Sequence, residues 1–370
     1  MRSGAAACLS KLPRRTAAPA EPEGGFGILM AHSLIERVEA GHILAGAEAD
    51  AVMEELLSGR VETPEIVRLL TALNTRPYQA EELVGFARAM RRHAARVFAE
   101  GATRPAKMVD TCGTGGDAFH TFNISTAAAF VVAAAGGRVA KHGNRAASSR
   151  AGAADVLEAL GVRIDLPLEH SGRAICELGI GFLFAQTAHR SMRHAMPARR
   201  QIGVRTVFNL LGPLTNPAGA QSQVLGVFSA DVVDVMSAAL AGLGVERAFV
   251  VHGAGGLDEI SLAGETLVAE VKDGTVHRYT VAPEDFGVAR APFEALRGGA
   301  AAQNAGLIQR VLAGETGPRR DVVVANAAAA LVAAGAAGNF REGAILAADA
   351  ISCGAAERKL AALVSFNSKA

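Results

Sequence analysis

The chain has 370 residues and a net charge of +1, with 37 Lys and Arg against 36 Asp and Glu. Half of it is hydrophobic and 20% is charged, which excludes a wholly disordered chain, and the length predicts two domains rather than one of about 100–200 residues. The balanced charge excludes a bulk electrostatic footprint for nucleic acid or anionic membrane, and zero Trp with two Tyr argues against a stacking platform for bases.

Cys8, Cys112, Cys176 and Cys353 are scattered, with no CxxC and no zinc spacing, so a reducing, cytoplasmic setting is expected. No stretch reads as a membrane span; the longest uncharged run, 322–340, is Ala- and Gly-rich and predicts a buried helix. Glycine is the outlier, 41 residues or about 11% of the chain against a usual ~7%.

Residues 1–29 are rich in Ala, Pro and Gly and carry Arg2, Lys11, Arg14 and Arg15 before any acid. Lys11 and the Arg pair interrupt the only apolar stretch, against a secretory signal. An organelle transit peptide, a disordered extension and a start at Met30 all fit, and 1–30 is set aside.

Residues 31–103 read as a small all-helical domain. Leu34, Ile35 and Val38, then Val52, Met53, Leu56 and Leu57, recur at helical spacing, and Thr63-Pro64 opens a stripe of Ile66, Leu69, Leu70 and Leu73. A further helix is predicted over 80–98, with Arg88, Arg91, Arg92 and Arg96 on its exposed side.

Residues 104–370 alternate short apolar strands with Ala-rich helices: strands at 108–109, 138–140, 162–164, 223–228, 248–251, 265–271 and 275–280, helices at 126–135, 153–160 and from 304 onward. That alternation predicts a largely parallel sheet covered by helices. A basic helical stretch near 187–201 is expected to pack with the first domain.

Four motifs carry candidate chemistry. Asp110-Thr-Cys-Gly113-Thr-Gly-Gly116-Asp117 follows a strand and leads into Asn123-Ile-Ser-Thr126 at a helix start. Glycines admit close backbone approach, Asn123, Ser125 or Thr126 can cap the helix, and its N-terminus favours an anion. Read alone, the loop is equally a tight strand–helix turn. It is neither a P-loop nor a GxGxxG dinucleotide motif.

Lys141-His-Gly-Asn144-Arg145 with Ser148 and Ser149 follows the second strand and supplies cations, an amide and hydroxyls for a polyphosphate, or a solvated basic loop. His142 is not needed as a base. His252-Gly-Ala-Gly-Gly256-Leu-Asp258-Glu259 places adjacent carboxylates beyond a strand end, which suits Mg²⁺ or an acidic cap on a turn. In Met196-Pro-Ala-Arg199-Arg200 through Arg205 to Gly212-Pro-Leu-Thr-Asn-Pro217, Arg199 is a candidate carboxylate partner, or an ordinary ion pair, and the Gly-Pro run predicts a stiff loop.

Together, GTGGD, NIST, KHGNRAASS, RTVFNLLGPLTNP and GLDEIS closely resemble the anthranilate phosphoribosyltransferases of tryptophan biosynthesis, from about Leu34 to the C-terminus. The resemblance implies an α/β fold of nucleoside-phosphorylase type: a small helical domain, a larger domain with a mostly parallel sheet, and an active site between them. It also implies a homodimer formed through the helical domain. The reaction implied is transfer of phosphoribosyl from 5-phosphoribosyl 1-pyrophosphate (PRPP) to the amine of anthranilate, releasing pyrophosphate, with Mg²⁺, two ions being expected.

By the same resemblance, Gly113, Gly116, Asp117, Thr121, Asn123, Ile124, Ser125, Thr126, Lys141, His142, Gly143, Asn144, Arg145, Ala146, Ala147, Ser148, Ser149 and Ala153 would contact PRPP. Lys141 and Arg145 would act catalytically on the leaving group. Gly113, Asn144 and Arg199 would line the anthranilate path, and Ser125, Asp258 and Glu259 would hold Mg²⁺. Ala153 departs from a frequent small hydroxyl residue, Gly255 from a commonly acidic one, Cys112 and Ala118 are mild variants, and 75–78 departs from the usual turn.

Two further classes share the fold. A pyrimidine-nucleoside phosphorylase would not need the Asp-Glu pair. A nucleic-acid-binding paralogue would present a basic face, for which the arginines of 88–96 are the candidate.

Overall fold

The computed structural model describes residues 24–116, 119–146 and 150–370. Four helices come first, α1 (Gly24–Glu39), α2 (Gly46–Leu57), α3 (Thr63–Leu73) and α4 (Ala80–Arg92). Alternation follows, with β1 (Met108–Gly113), α5 (Ile124–Ala134), β2 (Arg138–Gly143), α6 (Ala153–Ala159), α7 (Leu168–Leu178) and β3 (Ile180–Phe184). Three short helices, α8 (Ala185–Ala188), α9 (Met196–Ile202) and α10 (Phe208–Leu214), lead to β4 (Ser222–Gly226), α11 (Val233–Gly242) and β5 (Arg247–Gly253). The hairpin β6 (Thr266–Lys272) and β7 (Thr275–Val281) precedes α12 (Ala301–Leu312), α13 (Pro318–Ala333), α14 (Phe340–Ser352) and α15 (Ala355–Ser368). No described helix is long and apolar enough to cross a membrane.

The seven strands form one sheet in the order β3-β2-β1-β4-β5-β6-β7. The first five are parallel, and β6 and β7 are antiparallel additions. Successive strands run outward from β1 through β2 to β3, and the chain then returns to place β4 on the other side of β1. Ligands of open parallel sheets bind at such a reversal, beyond the carboxyl ends of the strands.

Burial explains the composition of the helices. Helix α13 is buried continuously from Val322 to Ala333, so small side chains on every face let it lie close to α5 and α14. A Cβ on Gly343 of α14 would come 2.7 Å from the Ala328 carbonyl of α13. In the helical lobe, Ile66, Leu69, Leu70 and Leu73 all face the core. Helix α9 packs on α3, and Ala195, Ala198, Phe208 and Leu211 share the lobe's core.

The structure corrects several sequence expectations. Helix α1 starts at Gly24, inside the segment set aside; Leu29 and Met30 are exposed and so leave no apolar periodicity to read. Helix α4 ends at Arg92, after which Val97 joins a different core beside Met108. Residues 162–164 are not a strand: Val162 and Ile164 plug the core from a connecting loop, and the third strand is β3. Pro213 and Leu214 belong to α10 rather than to a loop.

The arginine stripe of α4 is used within the chain. Arg88 donates to the Gly242 carbonyl at the end of α11, and Arg91 Nε donates to the Leu214 carbonyl at 2.8 Å. Both place positive charge at a helix C-terminus, where the dipole favours it. Arg92 pairs with Asp50 and Glu54, and Arg96 with Glu100.

Candidate active site at the carboxyl ends of the strands

The reversal between β1 and β4 gathers residues of all four motifs. The loop after β1 is tied down twice: Thr114 N donates to the Gly226 carbonyl at 2.9 Å, and Gly115 N to Asp258 Oδ2 at 2.7 Å. Gly115 and Gly116 both have positive φ, +70° and +81°, which glycine alone adopts at little cost. A Cβ on Gly113 would strike the Asp258 carboxylate, and one on Gly226 would land inside the Asp258 carbonyl. These two glycines therefore let the 257–259 backbone lie directly on the strand ends.

Glu259 completes the arrangement. Its Oε1 accepts from Ser125 N at 3.0 Å, in the first turn of α5. The chain's own carboxylate thus occupies the position where a helix N-terminus favours an anion. The next residue is clamped by α13: Asn326 Oδ1 accepts from Ile260 N at 3.0 Å, and its Nδ2 donates to the Ile260 carbonyl. Asn326 was not singled out from the sequence; its signal is a lone amide in a buried run of Ala and Val.

Asn123 takes the position before α5, but its side chain does not cap the helix. Instead Nδ2 donates to the Ala151 carbonyl and Oδ1 accepts from Asn304 Nδ2. Thr126 is buried, its hydroxyl without a partner among the described residues, and Ile124 is core, so Ile124 has only backbone to offer a ligand. Thr121 bridges to Arg297.

Lys141, His142 and Gly143 are strand, not loop: β2 pairs with β3 as far as Gly143 opposite Phe184. Lys141 is consequently buried, its Nζ donating to the Thr111 carbonyl at 2.6 Å, with Ser125 Oγ 3.5 Å away. Burial lowers its pKa, opposed by the nearby Asp110 carboxylate. Asp110 is fully buried and pushed up to about 6; it accepts from His142 N at 3.1 Å and Asn216 Nδ2 at 2.8 Å. Asn216, the last polar residue of the Gly-Pro run, also donates to the Ala140 carbonyl.

Arg145 turns away from this centre. It pairs with Asp155 and Glu158 of α6 and lies over the Phe184 ring. Asp155 also accepts from Ala146 N and Gly152 N. Asn144 Oδ1 accepts from Arg145 N, with Gln186 Nε2 3.4 Å away; Gln186 sits on a four-residue helix that no periodicity reveals. Ala153 starts α6 against Gly143 and brings no hydroxyl. Gly255 has φ +72°, and any side chain there would collide with Phe293, stacked on Phe119, which accounts for the missing acid. Asp117, Ala118, Ala147, Ser148 and Ser149 lie outside the described residues.

Arg199 is half-buried on α9, 5.4 Å from the Phe208 ring, and burial lowers its pKa. No acidic partner pairs with it among the described residues. Nearby in the chain, His189 meets His142 edge-to-face at 5.2 Å. Burial depresses both, His142 to about 3 and His189 to about 4.

Comparison with known proteins fits this layout. Residues 32–94 match a glycosyl transferase family helical bundle domain, and residues 105–357 a glycosyl transferase family a/b domain. The anthranilate phosphoribosyltransferase of Symbiobacterium thermophilum is 51% identical over 334 residues, covering 90% of this chain and 97% of the relative. This chain belongs to the anthranilate phosphoribosyltransferase family. A second member, from Rubrobacter xylanophilus, is 53% identical over 338 residues, 91% of this chain and 96% of its own. The crystal structure of the Thermus thermophilus anthranilate phosphoribosyltransferase superposes with a TM-score of 0.85 at 47% identity, covering 90% of this chain and 99% of that one. The Saccharomyces cerevisiae anthranilate phosphoribosyltransferase, solved in complex with PRPP and Mg, gives 0.82 at 26% identity, covering 94% and 99%.

Two outcomes are expected. Gly226→Ala should lift the 257–259 segment off the strand ends, costing about 1–3 kcal/mol in urea unfolding and a larger share of turnover; a fully active, equally stable variant would show the crossing to be dispensable. The histidines give a pH signature. Their folded pKa values lie below the ordinary 6.5, so the unfolded chain binds protons first, and stability present above pH 6.5 is lost as pH falls. Each should cost about 1–2 kcal/mol between pH 7 and pH 5, and His189→Gln should flatten that slope in denaturant titrations.

Proposed function

We propose that this chain transfers the phosphoribosyl group of PRPP to the amine of anthranilate, releasing pyrophosphate. Membership of the family supports this reading, and so does one feature of the site: a glycine loop, a helix N-terminus and an adjacent carboxylate pair converge where the sheet reverses direction. In the reaction the ribose C1–O bond to pyrophosphate breaks, the N–C1 bond forms, and the amine gives up a proton.

The leaving pyrophosphate carries the developing negative charge. Lys141 lies beneath the site, between Thr111 of β1 and Ser125 at the start of α5, and its buried ammonium stabilises that charge more strongly than one in water would. Arg145 is the second cation, exchanging its α6 carboxylates for the polyphosphate. The PRPP contacts proposed are Gly113, Gly116, Asp117, Thr121, the residues 123–126 and those of 141–149. Arg199, half-buried beside Phe208, offers its guanidinium to the anthranilate carboxylate, with Asn144 and Gly113 along the path. The aromatic amine is neutral near pH 7, so positioning rather than a dedicated base carries the rate.

Ser125, Asp258 and Glu259 fit Mg²⁺, as hard oxygen donors few enough to leave room for phosphate oxygens and water. No cluster of three or more His, Cys, Asp or Glu is gathered among the described residues, so the donor set is not one built to enclose a metal in protein alone. Bound there, Mg²⁺ supplies charge neutralisation of the polyphosphate. Two ions are proposed from the family resemblance alone. We also infer a homodimer formed through the helical lobe, whose exposed Leu29, Met30 and Ile43 would be covered, and a cytoplasmic setting consistent with the free thiols of Cys112, Cys176 and Cys353.

The direct test is loss of anthranilate fluorescence on adding purified protein, Mg²⁺ and PRPP; no turnover would sink the reading. Asp258→Asn with Glu259→Gln should reduce Mg²⁺-dependent turnover at least about 100-fold while leaving thermal unfolding near wild type. Arg199→Ala should raise KM for anthranilate about tenfold or more, from loss of a charge-assisted contact, with KM for PRPP unchanged.

A further inference from the structure

Arg205, in the segment joining α9 to α10, touches three parts of the molecule at once. Its Nη2 donates to the Gly116 carbonyl at 2.6 Å. The guanidinium lies over the Phe228 ring, 4.3 Å from its centroid, and Phe228 N in turn donates to Thr114 Oγ1 at 3.1 Å. The Arg205 carbonyl accepts from Asn74 Nδ2 at 2.8 Å, just past the end of α3, and Asn74 is itself held by the Tyr78 hydroxyl. The glycine loop, the end of β4 and the helical lobe therefore meet on one residue.

The contact answers a physical need of the loop. Two consecutive glycines at positive φ turn over at little cost, because glycine populates both halves of φ space. A loop free to turn presents carbonyl oxygens as readily as amides, and a carbonyl facing a polyanion repels it. At Gly116 the guanidinium fixes the carbonyl and neutralises its negative end. The φ of +81° favours glycine at 116, and a Cβ there would also push the guanidinium off the carbonyl. The ring of Phe228 fixes the arginine in turn, through a contact that favours a planar cation.

We propose that the Arg205 side chain is a positioning residue for the PRPP site, fixing the Gly116 end of the glycine loop beyond the amides already held by Gly226 and Asp258, on a segment whose backbone Asn74 joins to the helical lobe. The proposal rests on the reading that PRPP is the donor substrate. Nothing in it depends on the acceptor.

The test is calorimetric binding of PRPP with Mg²⁺ to the full chain, alongside both KM values and the thermal midpoint. Arg205→Ala should weaken PRPP binding about tenfold, as expected for one charge-assisted hydrogen bond, and raise KM for PRPP in parallel. KM for anthranilate should stay within about twofold of wild type, and the midpoint within about 2 °C, since the side chain is exposed. Arg205→Lys should recover part of the loss, keeping a donor for Gly116 without the flat stack on Phe228. Unchanged PRPP affinity in Arg205→Ala would overturn the proposal, as would a fall in midpoint with both KM values rising together. Wild-type protein that binds PRPP but leaves anthranilate unconsumed would remove the acceptor assignment and leave the Arg205 comparison intact, whereas no PRPP binding by wild type would overturn both.

Discussion

The site depends on one steric constraint, the passage of the Asp258 backbone across the ends of β1 and β4. Two strands must end in glycine for it, since a methyl group at Gly226 would occupy the space of the Asp258 carbonyl. Once that backbone is seated, Asp258 reaches Gly115 N and Glu259 reaches Ser125 N. Loop, helix start and carboxylate pair become one unit. The chain's own acids then fill a cradle suited to anions, so a polyanionic substrate must either displace them or arrive with cations that satisfy both partners. The near-zero net charge of the chain is consistent with this: the attraction is local.

Beneath the loop the protein uses buried amides and charges as fixed supports. Asn216 joins Asp110 to the Ala140 carbonyl, Asn326 clamps Ile260, and Asn304 joins the Gly299 amide to Asn123. Each is a buried polar group with more than one hydrogen-bond partner, which is costly to leave half satisfied and therefore rigidly specified. Above this platform the groups that meet the cleft, Arg199 and Arg205, are only half-buried or exposed.

Much of this was legible in the sequence. Alternation of strands and helices predicts the parallel sheet; the glycine loop and the Asp-Glu pair each fall after a strand, and the KHGN run at the end of one. What local pattern could not show is how far those strands extend. Lys141 reads as a loop cation because charge is unusual in a strand, yet the β3 ladder and the Asp110 carboxylate carry it inside. Arg145 looks like its partner, but α6 supplies two acids at helical spacing to pair with it. Gly113 reads as a ligand-approach position and Gly226 only as part of a strand; the neighbour of both is Asp258, more than thirty residues further along. The stripe on α4 misleads for the same reason, since the carbonyls capped by Arg88 and Arg91 come from distant helices. Contacts between remote segments leave no periodicity.

The core of the helical lobe has a mechanical consequence. Ile66, Leu70 and Phe86 belong to the same continuous cluster as Leu225, Val250 and Ala269 on one face of the sheet, so no layer of water divides the two parts. A swing that parted them would wet apolar surface at about 25 cal/mol per Å². Three stretches of chain also bridge the boundary, at 93–107, 184–185 and 215–221. A relative motion that keeps this core dry is a small sliding of packed surfaces, of the shear kind. In that geometry a slide of the lobe reaches the mouth of the cleft as a pull along the loop rather than as the opening of a jaw.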